Sequence, residues 1–202
     1  MLNESLTHSP DRDDVLSFGV SPLQDVMMSI NNEYGFDEYL KDLGISEADL
    51  RGLVLDIGSG KTERFSKTAA KRGISVVSVN PRLVDEVQRE RVKSSLDGID
   101  WQRRSVAALA QNLPFRDESF DTIVSHFAVP LWIMEEKDIA TALREAVRVL
   151  KPGGKAYLGP TKPEYTGEAR FIQKLDLGNN VLITLEDHPL AGKDYIIKIE
   201  RV

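Results

Sequence analysis

From residue 52 onward, short apolar segments alternate with longer segments that have helical periodicity. The first apolar segment, Leu53-Val54-Leu55, has no polar interruption, which is typical of a strand buried on both faces of a parallel sheet. The helical pattern is clearest over 139–150, where apolar side chains recur at intervals of three and four. Strands that alternate with helices along the chain predict an α/β fold with a mostly parallel sheet.

The alternation also predicts where each element lies. The predicted strands cover residues 53–55, 74–79, 99–103, 120–125, 155–158, 180–185 and 195–199, and the last two form an antiparallel pair. The predicted helices are one that ends at Arg72 and those over 83–96, 139–150 and 164–175. Ahead of this α/β domain, which covers 51–202, we expect a flexible tail over 1–20 and a helical extension over 21–50. The extension is a candidate lid over the site, because it carries the aromatic side chains of Tyr34, Phe36 and Tyr39.

The composition excludes several kinds of site. The 202 residues include no cysteine, which removes disulfides, cysteine-ligated zinc, iron–sulfur clusters and a thiolate nucleophile. The three histidines, His8, His126 and His188, lie far apart in sequence and lack metal-ligand spacing, so we predict no metal site. The chain has 26 basic and 32 acidic residues, and the resulting net charge of −6 argues against nucleic acid as a partner.

The sequence contains no segment that predicts insertion into a membrane. Its longest apolar run, from Ala128 to Met134, is much shorter than the roughly 20 residues that a membrane-spanning helix needs. The first residues lack the basic region and the apolar stretch of a secretory signal. We therefore expect a soluble, cytoplasmic protein without a membrane partner, and no pattern assigns an oligomeric state.

The segment Asp56-Ile57-Gly58-Ser59-Gly60 follows the first predicted strand, where α/β sheets bind ligands. A nucleoside-triphosphate loop would need glycine at position 55, but Leu55 belongs to the strand. A dinucleotide fingerprint would need glycine at position 63, where the charge of Glu63 would oppose a pyrophosphate. An acidic residue two positions before the first glycine suits a ligand with a cationic amino-acid end. The alternative is a tight turn in which Asp56 only caps the following helix.

Three segments resemble the class I S-adenosylmethionine-dependent methyltransferases. Residues 54–60 resemble the family's first motif, and residues 113–124 (LPFRDESFDTIV) resemble the segment that leads into its fourth strand. Residues 143–154 (LREAVRVLKPGG) resemble the helix and turn before its fifth strand. The resemblance extends over about residues 50–202. It implies a three-layer Rossmann-like fold with a seven-stranded, mostly parallel sheet, an antiparallel last strand, and S-adenosylmethionine as the cofactor.

The resemblance assigns the cofactor contacts to the strand ends. In chain order, these contacts are Asp56, Gly58, Ser59, Gly60, Asn80, Leu109, Ala110 and Ser125. The family's glycine loop lies beneath the methionine part of the cofactor. Asn80 falls at the position that contacts the ribose, and Leu109 falls at the position that contacts the adenine.

The chain departs from the family's pattern at three positions. Asn80 and Leu109 stand where acidic residues are typical, and Thr62 replaces a common third glycine. Because a carboxylate accepts both ribose hydroxyls while Asn80 offers one oxygen, Asn80→Asp is expected to tighten cofactor binding roughly fivefold. The same departures leave open a methyltransferase-like binding protein without activity.

His126 is the candidate catalytic residue. It follows Ser125 at the end of the predicted fourth strand, where members of the family line the substrate site. A neutral imidazole accepts a proton from a hydroxyl or amine, whereas the alternative is a histidine bonded to loop backbone. The predicted function is methyl transfer from S-adenosylmethionine to a small-molecule acceptor, which needs alignment of the acceptor and exclusion of water. The alternative remains an inactive partner-binding protein.

Overall fold

A computed structural model describes residues 34–95, 104–133, 135–161, 169–188 and 194–202 of the chain. The predicted tail over 1–20, the first part of the predicted extension (21–33) and the strand predicted at 99–103 lie outside the described residues. The described part of that extension contains helix α1, Phe36–Asp42, and a short 3-10 turn, Glu47–Asp49.

The described strands form one seven-stranded sheet. They are β1 Leu53–Ile57, β2 Ser75–Val79, β3 Ser105–Val106, β4 Phe120–His126, β5 Leu150–Thr161, β6 Val181–Asp187 and β7 Tyr195–Arg201. In the order β3-β2-β1-β4-β5-β7-β6, neighbouring strands are parallel except that β7 runs antiparallel to both β5 and β6. The predicted fold, a mostly parallel sheet with an antiparallel last strand, is confirmed.

The remaining described helices follow the sequence pattern closely. They are α2 Arg64–Lys71, α3 Glu86–Ser95, α4 Glu136–Val149 and α5 Ala169–Lys174. Helix α2 ends as expected, because Gly73 adopts a left-handed φ of +80° just beyond it. The helix predicted over 83–96 is instead a 3-10 turn, Pro81–Val84, followed by α3 after the extended residue Asp85. No helix among the described residues is long and apolar enough to cross a membrane.

The described third strand follows directly after the segment that the sequence predicts as a strand. Strand β3 pairs with β2 through Ser105 opposite Ser78 and Val106 opposite Val79, whereas the prediction was 99–103. It has two residues and a single apolar side chain, so no apolar run marks it in the sequence.

The carboxyl ends of β1 and β4 lie side by side in the middle of the sheet. The chain continues from β1 to β2 on one side, while β4 and β5 lie on the other. Such a reversal of strand order opens the crevice in which α/β proteins bind ligands. Because β1 ends at Ile57 and β4 ends at His126, the glycine turn and the histidine share this edge.

Helix α1 packs into the core at the same part of the sheet. Phe36, Tyr39 and Leu43 are buried in one apolar cluster with Val54 and Phe65. Each large side chain that is buried in this way stabilises the fold by about 1.5–3 kcal/mol. The helix is therefore held firmly against the domain by packing.

Candidate functional site

The glycine turn after β1 is anchored to β2. The backbone N–H groups of Gly58 and Ser59 donate to the carbonyl of Val79, at 2.8 and 3.2 Å. Gly58 and Gly60 both have left-handed φ angles, +85° and +78°, which side chains disfavour. A Cβ at Gly58 would overlap Ala128, whereas a Cβ at Gly60 would meet open space. Gly58 therefore allows close packing, and Gly60 leaves room beside the turn.

Two of the predicted contact residues brace this turn. Asn80 donates through Nδ2 to the carbonyl of Gly60 at 2.7 Å and accepts the N–H of Arg82 at 3.0 Å. Ser125 donates to the carbonyl of Ile57 at 2.8 Å and accepts a backbone N–H at 2.9 Å. Both side chains lie at the edge where they were predicted, and both hold backbone in place there.

Leu109, the predicted adenine contact, and Ala110, a further predicted cofactor contact, lie in a turn after β3. The carbonyl of Leu109 accepts the N–H of Asn112 at 3.1 Å, and 38% of Leu109 is exposed. Ala110 packs against the larger apolar cluster. Because neither side chain carries a polar atom, any contact with adenine here would be apolar, and this role stays a prediction.

Two buried carboxylates accompany the turn. Asp56 is fully buried; its Oδ1 accepts the hydroxyl of Tyr39 at 3.3 Å, and its Oδ2 has no partner among the described residues. Glu63 is also buried, and its two oxygens accept the hydroxyls of Ser59 and Ser105 at 3.2 and 2.6 Å. Glu63 therefore has both oxygens bonded, whereas one oxygen of Asp56 is free.

The environment of this pair favours a cation. Burial raises the pKa of Asp56 well above its usual range, and the negative charge of Glu63 raises this pKa further. Burial also raises the pKa of Glu63 to about 6, although hydrogen bonds from Ser105 and Ser59 oppose the shift. A buried carboxylate is stabilised when a positive charge approaches it. The free Oδ2 of Asp56 therefore fits the cationic group of a ligand.

His126, at the end of β4, is joined to helix α1. Its Nε2 lies 2.9 Å from Oδ2 of Asp42, and only 1% of its side chain is exposed. Its Nδ1 is buried and has no partner among the described residues. The rings of Tyr34, Tyr39 and Phe127 surround the imidazole at centroid distances of 4.5, 4.4 and 4.6 Å. The described hydrogen bond of this ring is thus to a carboxylate and not to loop backbone.

The charges around His126 favour a neutral ring. Burial lowers the pKa of His126, and the hydrogen bond with Asp42 only partly opposes this shift. The same hydrogen bond lowers the pKa of Asp42. A neutral imidazole has one N–H, and its donation to a carboxylate places that N–H on Nε2. The lone pair then lies on Nδ1, which is the basic atom.

Sequence reasoning missed Asp42, Glu63 and His188 as neighbours of this site. Asp42 is 84 residues from His126, and no pattern in the sequence joins the two. Nε2 of His188 lies 4.0 Å from the other oxygen of Asp42, so two histidines that looked unrelated flank one carboxylate. Within the described ranges, no three histidine, aspartate or glutamate side chains could hold a metal ion.

A cavity of about 510 Å³ lies at the opposite edge of the sheet, and its lining includes Asp117, Arg148 and Arg201. Asp117 precedes β4 and Arg201 ends the antiparallel β7, so this is the amino edge. Arg148 is bonded to Asp117 and Glu145 and to two backbone carbonyls. Because these charges are paired with one another, they offer little to a ligand.

The central part of the chain is similar in sequence to known proteins. A family model described as a methyltransferase domain matches residues 55–158, just over half of the 202 residues. The ubiquinone/menaquinone biosynthesis C-methyltransferase UbiE of Rickettsia bellii is 32% identical over 123 residues. That alignment covers 59% of this chain and 46% of the relative, so the chain spans about half the length of such relatives.

Solved structures share the fold at lower identity. A putative S-adenosylmethionine-dependent methyltransferase of Methanococcus maripaludis gives a TM-score of 0.56 at 22% identity, over 82% of this chain and 83% of its own. A protein of Pyrococcus horikoshii gives a TM-score of 0.56 at 18% identity, over 82% and 89% of the two chains. These similarities support the common architecture.

Proposed function

The chain belongs to the methyltransferase-domain family of S-adenosylmethionine-dependent enzymes, and we propose that it methylates a small aromatic molecule. The observation that carries the proposal is the buried Oδ2 of Asp56, which has no partner among the described residues and lies on the strand that leads into the glycine turn. The methionine part of the cofactor carries an ammonium and a sulfonium, and both are cations. An unpaired buried carboxylate is costly unless a cation of this kind binds to it.

The residues of the chain fit this cofactor. Asp56 would hold the ammonium group, and the space beside Gly60 would receive the methionine part. Asn80 keeps a second lone pair on its Oδ1 for a ribose hydroxyl, and Leu109 would offer the adenine an apolar surface. When bound, S-adenosylmethionine supplies an activated methyl group. The protein then needs to align an acceptor and exclude water.

His126 would act as the general base on the acceptor side. Its bare Nδ1 can take a proton from a hydroxyl group, which makes the acceptor a better nucleophile. The partly exposed rings of Tyr34 and Phe127 lie against the imidazole and favour a planar aromatic acceptor. We therefore expect the acceptor to be a hydroxylated aromatic ring.

We propose a quinol ring as the acceptor, because the relatives are named ubiquinone/menaquinone biosynthesis C-methyltransferases. Methylation of a ring carbon requires that a proton leave the ring or one of its hydroxyls, and Nδ1 of His126 can accept it. We favour this enzyme over an inactive binding protein, because Asp56 and His126 both retain buried polar atoms without partners among the described residues.

The proposal is tested by thermal unfolding with S-adenosylmethionine and with S-adenosylhomocysteine. At 100 times its dissociation constant, each ligand should stabilise the fold by about 2.7 kcal/mol. A radiolabelled assay with 1,4-dihydroxynaphthalene as the acceptor should then give a product methylated on carbon. Methylation on oxygen would contradict the quinone assignment, and the absence of any thermal shift up to about 1 mM ligand would favour the inactive alternative.

A further inference from the structure

We propose that Asp42 is a positioning residue for methyl transfer, which holds His126 so that Nδ1 is the basic nitrogen. The inference rests on the proposed function, because it concerns the same acceptor site. It starts from the 2.9 Å contact between Oδ2 of Asp42 and Nε2 of His126, which joins α1 to β4. Helix α1 would then contribute to the chemistry in addition to covering the site.

The geometry fixes the ring as well as its proton. Tyr39 stacks on the imidazole at an interplanar angle of 29°, while Tyr34 and Phe127 contact it edge-on at 73° and 75°. A flip of the ring would put Cε1 in the place of Nε2 and break the bond to Asp42. Packing and hydrogen bonding therefore both favour the orientation in which Nε2 faces the carboxylate.

The charges that face His126 come from two parts of the chain. Asp42 and Glu38 on α1 favour the protonated ring, whereas His188 after β6 opposes it. The enclosing hydroxylated rings are those of Tyr34 and Tyr39. Because burial outweighs the carboxylates, the resting ring is neutral and can accept a proton. Asp42 then stabilises the imidazolium that results, as a carboxylate does beside a catalytic histidine.

The step balances with these groups alone. An acceptor hydroxyl gives its proton to Nδ1 of His126, and the ring's electron pair forms the new bond to the methyl carbon. The electron pair of the carbon–sulfur bond stays on sulfur, which loses its positive charge. The methylated ring carbon loses its own proton to water, which restores the aromatic ring. His126 is then an imidazolium beside Asp42, and it returns its proton to the ring oxygen as the aromatic ring is restored.

The test uses nitrogen NMR of histidine-labelled protein without ligand, with His126→Ala to assign the signals. In the wild type we expect a proton on Nε2 of His126 and none on Nδ1. Asp42→Asn can accept from or donate to the ring, so part of the protein should carry the proton on Nδ1. The titration midpoint of His126 should also fall in this variant, because a carboxylate that favours the charged ring is lost. Asp42→Glu should restore the wild-type pattern in part.

Asp37→Asn is the matched control, because Asp37 lies on the same helix, is 78% exposed and pairs with Arg72. Its spectrum should equal that of the wild type. A proton on Nδ1 of His126 in the wild type would overturn the inference, and this result needs no variant to fold. An unchanged proton position and midpoint in Asp42→Asn would overturn it as well.

A pH profile of kcat with 1,4-dihydroxynaphthalene supplies the catalytic readout. Asp42→Asn should lower kcat by roughly 10- to 100-fold and move the acidic limb to lower pH, with the KM for S-adenosylmethionine unchanged. An unchanged kcat and limb would overturn the inference. If the wild type does not turn over this acceptor, the proposed function loses support, while the NMR result still decides the role of Asp42.

Discussion

The two edges of the sheet differ in how completely their polar groups are paired. At the carboxyl edge, one oxygen of Asp56 and one nitrogen of His126 are buried without partners among the described residues. At the amino edge, Asp121 accepts both Lys151 and a backbone N–H at 2.8 Å, and Arg148 is bonded to two carboxylates. An unsatisfied buried group costs about 1–3 kcal/mol. We infer that the carboxyl edge retains this cost because a ligand uses those atoms.

The comparison also shows that volume alone does not locate the chemistry. The cavity of about 510 Å³ lies at the amino edge, where the charged side chains neutralise one another. The carboxyl edge instead holds an oxygen of Asp56 and a nitrogen of His126 that have no partners among the described residues.

The largest expected effect comes from removing the base. His126→Ala should lower kcat by roughly 10²-fold or more, because a positioned general base contributes about that much. Cofactor affinity should stay nearly the same, since the carboxylate of Asp56 remains. The measurement is methyl transfer to 1,4-dihydroxynaphthalene, with affinity from calorimetry. Activity within about threefold of the wild type would return His126 to a structural role.

A pair of glycines separates ligand effects from backbone effects. Gly60 and Gly153 have similar left-handed φ angles, +78° and +76°, and neither has a neighbour within 4 Å of a Cβ. Gly60→Val should weaken S-adenosylmethionine binding by about 2–3 kcal/mol, because its side chain enters the proposed ligand space. Gly153→Val carries the same backbone strain at the other edge and should leave affinity unchanged.

Gly58→Val is a third variant for the same calorimetric experiment. Its side chain would overlap Ala128, so it should lower the free energy of unfolding by about 2–3 kcal/mol. Equal affinities in Gly60→Val and Gly153→Val would show that the turn does not border the ligand.

The sheet could be predicted from the sequence because its signals are local. Leu53-Val54-Leu55 and the apolar stripe of α4 each mark one element by spacing alone, and both lie where expected. Strand β3 was not predicted, because its two residues pair through backbone and lack an apolar run.

The acceptor side of the site depends on contacts that no local pattern contains. Asp42 contacts His126, which is 84 residues away in sequence. His188, which also lies near Asp42, follows β6 at one end of the strand order. Only packing of α1 onto the domain brings them together. Likewise, the sequence placed Glu63 in the turn but did not show that Ser105 would donate to it.

Glu63 at the carboxyl edge and Asp121 at the amino edge should respond to pH in opposite directions. Burial raises the pKa of Glu63 from 4.5 to about 6, so its contribution to stability is full below pH 4.5 and is lost as the pH rises through about 6. This loss is about 2 kcal/mol. Glu63→Gln should remove it, while the exposed Glu136→Gln should not. At the amino edge Lys151 lowers the pKa of Asp121, so that contribution is lost as the pH falls.

Chemical denaturation at several pH values measures these slopes. A wild-type curve without a loss between pH 4.5 and about 6.5 would show that Glu63 is not buried as described.

The smallest effect concerns Asn80, and here the structure reverses the expectation from sequence. Nδ2 of Asn80 donates to the carbonyl of Gly60, and an aspartate would place an oxygen against that carbonyl instead. The lost hydrogen bond of about 1 kcal/mol should loosen the turn, so Asn80→Asp should weaken S-adenosylmethionine binding a fewfold. Tighter binding, measured by calorimetry, would mean that the gain at the ribose outweighs the loss at the turn.

The most direct test compares two aspartates from the two edges. Calorimetry should show that Asp56→Asn weakens S-adenosylmethionine binding roughly tenfold or more, because a charge-assisted contact is lost. Its melting temperature should not fall, since a neutral amide is less costly to bury than a carboxylate. Asp117→Asn, at the amino edge, should bind as the wild type does. Equal affinities in the wild type and both variants would contradict the assignment of the cofactor site to the carboxyl edge.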